Sequence, residues 1–196
     1  MTALRPALAA VKILLVFTVL LGMAYPALVT GLARLMPGRA DGSLLLIDGR
    51  VVGSALLGQA VTDPRLFQGR PSASDASGLT SGGSNLGPND PDLTQAVADR
   101  EAAVRAANPE GPGASGASVA VPADALTASA SGLDSDISPA YAAWQAPRVA
   151  AATGLALTEV QSLVGEHTAY PALGFIGSER VNVTELNAAL AQRLDR

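Results

Sequence analysis

The chain has 196 residues, enough for one globular domain and a membrane anchor, and its net charge of −4 is unevenly distributed. Residues 1–40 carry four basic residues and no acidic one, whereas residues 41–196 carry nine basic and seventeen acidic residues, for a charge of −8. The acidic part argues against a nucleic-acid partner because phosphate backbones would be repelled, and the single His and lack of Cys exclude disulfides and Cys-based or multi-histidine metal sites.

The N-terminal part predicts a membrane anchor over residues 1–40. Residues 13–33 form an uncharged apolar run, and a bilayer core about 30 Å thick needs about 20 helical residues. We therefore predict a membrane-spanning helix over 13–33, kinked at Gly22 and Pro26. The residues predicted to pack this helix against partner helices are Gly22, Ala24, Ala27 and Gly31.

Two alternatives to a permanent anchor fit the sequence less well. A cleaved signal peptide has a shorter apolar region, and residues 25–28 (YPAL) make a poor cleavage site. A buried core helix is usually shorter and less continuously apolar. Basic residues lie on both sides of the span, so the positive-inside rule gives no orientation.

Residues 41–196 predict a soluble α+β domain with a small sheet and several helices. Apolar runs on both sides of Asp48-Gly49 predict a β-hairpin over 44–57, because this dipeptide suits the positive φ angles of a type I′ turn. The region 63–91, rich in Gly, Pro, Ser, Asn and Asp, predicts a long loop.

A helix and a strand are predicted on either side of a second loop. Apolar spacing predicts the helix over 92–107, with Asp90 or Asp92 as its cap. The low-complexity segment 109–118 predicts a turn or a flexible excursion. A short strand is predicted near 126–130.

Two further helices are predicted in the C-terminal part. Ser138 and Pro139 are typical of the N-cap and first residue of a helix. Pro147 is predicted to kink or divide this helix, and Gly154 to end it. Residues 158–161 (TEVQ) match a capping box that would open the next helix.

A last helix is predicted to begin at residues 182–185 (NVTE), where Asn182 suits the N-cap. It is amphipathic, because three leucines recur at intervals of four residues along one face. These leucines are Leu186, Leu190 and Leu194.

The Gly-rich segment 79–88 invites a comparison with phosphate-binding loops, because exposed backbone N–H groups can bind anions. It lacks the Walker pattern, and no Lys is present after residue 12. The favoured interpretation is a tight loop packed on its own domain or on a partner. The candidate nucleotide or partner contacts are Ser81, Gly82, Gly83, Ser84, Asn85 and Gln145.

Other polar residues are interpreted as structural. His167, beside Glu166, suggests a membrane-anchored hydrolase, but no nucleophile elbow supports this, and a helix-end cap is favoured. Asp134 and Asp136 are predicted to cap turns rather than to bind a hard cation. The aromatic pair Tyr141 and Trp144 is predicted to lie in the core.

An ordered series of short motifs resembles the KdpC family over nearly the whole chain. The motifs are 67–73 (FQGRPSA), 81–88 (SGGSNLGP), 127–134 (TASASGLD), 137–139 (ISP), 145–150 (QAPRVA), 163–168 (LVGEHT), 173–175 (LGF) and 180–187 (RVNVTELN). Each is weak alone, and their order is specific. The chain departs from the usual family pattern at Ala130, which replaces a Gly, and at Ser135-Asp136, which replace Pro-His.

The resemblance implies an accessory subunit, not catalytic by itself, of an ATP-driven potassium import complex in the bacterial inner membrane. The implied partners are a channel-like potassium-binding subunit, a P-type ATPase subunit, a small single-span subunit and the lipid bilayer. ATP is expected only at the level of the complex, and no cofactor or metal is expected on this chain.

The resemblance is compatible with two roles, which require opposite orientations. An assembly role places the soluble domain on the external side, whereas a nucleotide-binding helper that raises ATP affinity needs it in the cytoplasm. We favour the external side, because no segment of the sequence forms a convincing nucleotide site.

Overall fold

A computed structural model describes residues 4–109, 111–112 and 119–194. The chain divides into two compact units, with the boundary between Ser43 and Leu44. Most of the predicted loop 109–118 lies outside the described residues, so that prediction is not compared with the structure.

The first unit is helical. Helix α1 covers Leu4–Val19, a π-helical turn covers Leu20–Ala24, helix α2 covers Tyr25–Ala33, and a short helix α3 covers Pro37–Ala40. Together Leu4–Ala33 form 30 helical residues, and the most apolar 18-residue stretch within them has a mean hydropathy of 2.4, so the helix is long and apolar enough to cross a membrane.

The π-helical turn has a local cause in Pro26. Proline has no N–H, and its ring would clash with the carbonyl group of Gly22, four residues earlier. The N–H of Tyr25 donates to the carbonyl of Leu20, five residues earlier, so the helix widens by one residue before the proline. The expected irregularity at this site is therefore a π-helical turn.

The second unit begins with the predicted hairpin. Strand β1 covers Leu44–Ile47 and β2 covers Arg50–Ser54, and the two are antiparallel. Asp48 and Gly49 have φ angles of 49° and 75°, as a type I′ turn requires, so the hairpin prediction is confirmed. A register shift between Leu45 and Leu46 interrupts the pairing.

Helix α4 covers Pro91–Ala107, and the Asp90 carboxylate accepts a hydrogen bond from the Asp92 N–H at 2.9 Å, which confirms the predicted cap. The predicted strand near 126–130 is wrong, because helix α5 covers Ala123–Leu126 and residues 127–130 form an irregular loop. Pro122 precedes this turn of helix, and the Thr127 hydroxyl donates to the Ala123 carbonyl, so local hydrogen bonds replace strand pairing.

Three short strands form an antiparallel sheet against three helices. Strand β3 covers Asp136–Ile137, β4 covers Thr168–Ala169 and β5 covers Arg180–Asn182, with β5 in the centre. Helices α6, α7 and α8 cover Pro139–Thr153, Leu157–Glu166 and Val183–Leu194. The second unit is therefore α+β, as predicted.

Helix α6 begins and ends where the sequence predicts. The Ser138 hydroxyl accepts from the Tyr141 N–H at 3.0 Å, and Gly154 ends the helix with φ of 76°. Pro147 does not divide the helix, because it removes only the hydrogen bond to the carbonyl of Ala143, an exposed residue that water can reach.

The start of α7 corrects the sequence prediction. Its N-cap is Ala156, and Thr158 lies inside the first turn rather than at a capping box. Leu155 packs on the core and Val160 is fully buried, at the two positions of a hydrophobic staple. Apolar packing at these two positions, rather than a side-chain cap, determines where the helix begins.

Helix α8 begins as predicted, because the Asn182 side-chain oxygen accepts from the Glu185 N–H at 3.0 Å. Leu186 and Leu190 are fully buried, and Leu194 packs against the core. Tyr141 and Trp144 are also core residues, as predicted. The core thus lies among α6, α7, α8 and the central strand β5.

Candidate functional site

The long loop between β2 and α4 contributes its first half to the domain interior. Phe67 is fully buried, and its N–H and carbonyl both pair with the Asn187 side-chain amide at 2.8 Å. The N–H and carbonyl of Gln68 pair in the same way with the Gln145 side chain, at 2.8 and 2.9 Å. The side-chain amides of Gln145 in α6 and Asn187 in α8 therefore make the hydrogen bonds to the backbone of Phe67 and Gln68 that a neighbouring strand would otherwise make.

Arg148 joins this network from the next turn of α6. Its guanidinium donates to the side-chain oxygens of Asn108 at 2.9 Å and Gln145 at 2.8 Å, and to the carbonyls of Pro64 and Leu66. None of the described carboxylates forms an ion pair with it, and burial lowers the pKa of this Arg. The cation is held by neutral oxygens, which fix the loop to the helix.

The second half of the loop lies on the turn that precedes β3. The Gly82 N–H and the Ser81 hydroxyl both donate to the Ser131 carbonyl, at 2.8 and 3.0 Å. A Cβ atom on Gly83 would lie 3.1 Å from the Ala130 carbonyl oxygen, so the two backbones are in close contact. Two of the motifs that carry the family resemblance thus touch each other in space.

These contacts bear on the candidate nucleotide residues. The Ser81 hydroxyl and the Gly82 N–H donate to a carbonyl of the protein's own backbone. In a phosphate-binding loop, such donors point toward the ligand instead. Ser84 and Asn85 are exposed, and Asn85 has a positive φ of 56°. Gln145 is fully buried with its amide bonded to Gln68, so the structure gives it different neighbours from the segment 81–85.

An open cleft of about 330 Å³ lies between the segments 59–62 and 68–76, helix α4 and Tyr141. Arg70 projects into this region and forms an ion pair with Asp134 at 2.9 Å, and its Nε atom is buried without a hydrogen-bond partner. Arg100 donates to the Leu126 carbonyl at 2.9 Å. Burial raises the pKa of the Tyr141 hydroxyl to about 12, so that group stays neutral.

A second cavity of about 310 Å³ is lined by acidic residues near the start of β3. Asp134 pairs with Arg70, Asp136 pairs with Arg180 at 3.0 Å, and Asp124 accepts from the Ser138 hydroxyl. Asp134 also accepts from the Asp136 N–H, which confirms the predicted turn cap. Within the described ranges, no group of His, Asp or Glu residues is arranged to hold a metal ion.

His167 caps the end of α7, as predicted. Its Nδ1 lies 2.9 Å from the Leu163 carbonyl oxygen. The nearby Ser162 hydroxyl donates to Glu166 at 3.4 Å instead of to the imidazole. The described residues around His167 therefore do not form a nucleophile–base pair.

The small residues of the membrane span are all exposed in the isolated chain. Ala24 ends the π-helical turn, and Ala27 and Gly31 follow in α2 at spacings of three and four residues, so the three share one face of the helix. Gly22 and Gly31 have open space around the position of a Cβ atom. A neighbouring helix could approach closely along this face.

The sequence predictions missed the segment 170–177, which follows β4. Its large apolar side chains are among the most exposed in the chain, with Leu173 at 83% and Phe175 at 76%. The available signal was an uncharged run of apolar residues punctuated by Pro and Gly (YPALGFIG), with neither helical nor strand periodicity.

The structure describes a helix able to span a membrane, followed by an α+β unit whose buried polar residues bond within its own fold and whose surface exposes apolar residues. These features are typical of a membrane-anchored protein that contacts other proteins. A sequence profile of the family KdpC, described as "K+-transporting ATPase, c chain", matches residues 7–192. The chain belongs to the KdpC family.

Individual relatives agree with the family profile. A "Potassium-transporting ATPase KdpC subunit" from Polaromonas naphthalenivorans strain CJ2 is 52% identical over 95% of this chain and 93% of its own length. The subunits of the same name from Caulobacter vibrioides strain NA1000 / CB15N and Sorangium cellulosum strain So ce56 are 50% and 52% identical, over 97% and 95% of this chain and 93% and 96% of their own lengths.

Proposed function

We propose that this chain assembles a Kdp potassium-transporting ATPase by holding the other subunits together, with its second unit on the external face of the bacterial plasma membrane. As a KdpC family member, the chain is an accessory subunit of that ATPase and not an enzyme by itself. The observation that carries the proposal is a family match over residues 7–192, which includes both the apolar helix and the α+β unit.

The partners we propose are a channel-like potassium-binding subunit, a P-type ATPase subunit and a small single-span subunit. The face of the membrane span that contains Ala24, Ala27 and Gly31 suits close packing against their helices. The exposed residues 77–82 and 84–88 of the long loop and the segment 170–177 offer further contact surfaces. Removing the α+β unit should therefore release the other subunits from one another.

The assembly role is tested with a chain that ends at residue 43, expressed with the other subunits. Affinity purification through a tag on the ATPase subunit should recover the potassium-binding subunit with the full chain and lose it with the shortened chain. Recovery of an intact and active complex with the shortened chain would contradict the assembly role.

We assign the external side because no described residue of the α+β unit favours a direct role with ATP. The Ser81 hydroxyl and Gly82 N–H are bonded to the turn before β3, and Gln145 is buried. We propose that ATP binds to the ATPase subunit and that this chain carries no cofactor of its own. Equilibrium dialysis of the purified full chain with labelled ATP should then show no saturable binding.

The orientation is tested by cysteine labelling, which is unambiguous because the chain has no Cys. Ala102 lies exposed on α4, so Ala102→Cys presents a single reactive thiol on the α+β unit. Thr2→Cys, before the span, is the matched control for the opposite side. We expect a membrane-impermeant maleimide to label Ala102→Cys in spheroplasts and Thr2→Cys only after lysis; the reverse pattern would overturn the external assignment.

A further inference from the structure

The segment 170–177, which we call the apolar tip, connects β4 to β5. Its four large apolar side chains are more than half exposed: Tyr170 at 68%, Leu173 at 83%, Phe175 at 76% and Ile176 at 55%. The segment contains no charged residue. Exposed apolar side chains are common singly, but a group concentrated in one short segment marks an interaction site.

The apolar tip has a defined shape. Ala172 and Ile176 exchange two backbone hydrogen bonds, each 2.9 Å long, and the Gly174 N–H donates to the Pro171 carbonyl at 3.1 Å. Leu173 and Gly174 have φ angles of 55° and 82°. A leucine rarely adopts a positive φ, so the turn holds Leu173 in an unfavourable backbone conformation. The Leu173 side chain is 83% exposed and is directed away from the fold.

This preformed shape distinguishes the apolar tip from a loop that is merely uncovered. A segment whose backbone is already fixed loses little conformational entropy when it binds, so more of the apolar burial appears as affinity. Leu and Phe side chains that are this exposed also gain most from being covered. Leu173 and Phe175 are therefore the side chains we expect to act as anchors.

The charges around the apolar tip favour a protein over a lipid surface as its partner. Its neighbours in sequence include Glu166 and Glu179, and Arg180 is already paired with Asp136 at 3.0 Å. Segments that insert into anionic bilayers are usually flanked by basic residues, whereas residues 41–196 carry a charge of −8. A fixed turn with an acidic border suits an apolar pocket on a protein.

We infer that the apolar tip docks into an apolar pocket of another subunit of the potassium-transporting complex, with Leu173 and Phe175 as its anchors. The inference rests on the proposed function, because it needs the chain to work as a subunit. It adds the place of contact, which neither the family match nor the relatives' names specify.

The test measures how much of the full chain co-purifies with a tagged ATPase subunit from detergent-solubilised membranes. We expect Leu173→Asp and Phe175→Asp each to lower recovery at least tenfold, because a charge would enter an apolar pocket. Phe175→Leu keeps an apolar anchor and should retain most of the recovery. Leu157→Asp, at an exposed leucine of α7, introduces the same charge elsewhere and should change recovery less than twofold.

Folding of the variants is checked through Trp144, the only tryptophan, which is buried. Its fluorescence in the purified full-length variants should report the same unfolding temperature as the parent chain. Parent-like recovery of both Asp variants would overturn the inference. So would a loss of recovery equal to that of Leu157→Asp.

A second experiment identifies the partner directly in the assembled complex. A benzophenone side chain at position 175 should form a covalent adduct with another subunit on irradiation. An adduct with lipid, or with this chain alone, would overturn the inference. Comparison with the chain that ends at residue 43 separates the two proposals. If the shortened chain fails to assemble and the Asp variants of the apolar tip assemble normally, the assembly role stands and the apolar tip is not the contact. If the shortened chain assembles, the assembly role itself fails.

Discussion

The substitution Gln145→Met tests whether the buried polar network holds the long loop on the domain. Gln145 is fully buried, and its amide makes hydrogen bonds to the N–H and carbonyl of Gln68 and to the guanidinium of Arg148. Methionine has a similar volume but leaves these groups without partners. With ~1 kcal/mol for each neutral bond and ~2 kcal/mol for the bond to the charged group, the expected loss is ~4 kcal/mol.

A loss of this size is easily measured by thermal unfolding of the full chain in detergent. The unfolding temperature should fall by roughly 10 °C, because domains of this size lose roughly 2–4 °C per kcal/mol. Trp144 fluorescence is the natural probe, since this buried residue lies next to Gln145 on α6. The matched control is Gln161→Met, at an exposed position of α7, which should shift the temperature by less than roughly 2 °C. Equal shifts for the two variants would refute the proposed role of the network.

Three further predictions concern the turn before β3 and the start of α6. Gly132→Ala should lower the free energy of unfolding, measured in urea, by about 2 kcal/mol or more, because Gly132 has φ of 70° and a Cβ would lie 2.9 Å from the Gly82 carbonyl oxygen. The control Gly87→Ala, at a position with open space around it, should leave the free energy of unfolding unchanged. Similar losses for the two variants would contradict this prediction. Ser138→Ala should cost about 1 kcal/mol in the same assay through loss of the helix cap, and an unchanged midpoint would count against it. Burial raises the pKa of the Asp136 carboxyl above its ordinary value of 3.8, so the folded state favours the protonated carboxyl. The contribution of this group to the free energy of unfolding is therefore complete below pH 3.8 and is lost as the pH rises through the folded-state pKa. Asp136→Asn should remove that part of the pH dependence of urea unfolding, and a curve parallel to that of the parent chain would contradict this.

Local sequence signals predicted the parts of the fold that local chemistry determines. The Asp48-Gly49 turn and the cap residues Asp90, Ser138 and Asn182 all follow from hydrogen bonds or φ angles within a few residues, and all are confirmed. The strand predicted near 126–130 failed because its residues bond to themselves and to the distant long loop. A single sequence does not encode that distant contact in any periodicity.

The candidate site was harder to predict than the fold, because its residues meet across the chain. The sequence indicates Gln145 as a candidate nucleotide or partner contact, whereas Gln145 and Arg148 bond inward to loop residues more than seventy positions earlier. No composition or spacing rule reports such a pairing. The apolar tip at 170–177 was missed for the opposite reason: an apolar run usually indicates burial, and only the structure shows that these side chains are exposed.

The most direct test of the whole account is purification of the full-length chain from the membranes of its own cells, with mass spectrometry of every protein that remains bound in detergent. We predict an intact chain that retains Leu4–Ala33 and is recovered at a constant ratio with a P-type ATPase subunit and a potassium-binding subunit. Recovery of a shortened chain from the aqueous fraction, with neither of these subunits bound, would contradict the central claim that this protein is an anchored subunit of a potassium-transporting ATPase.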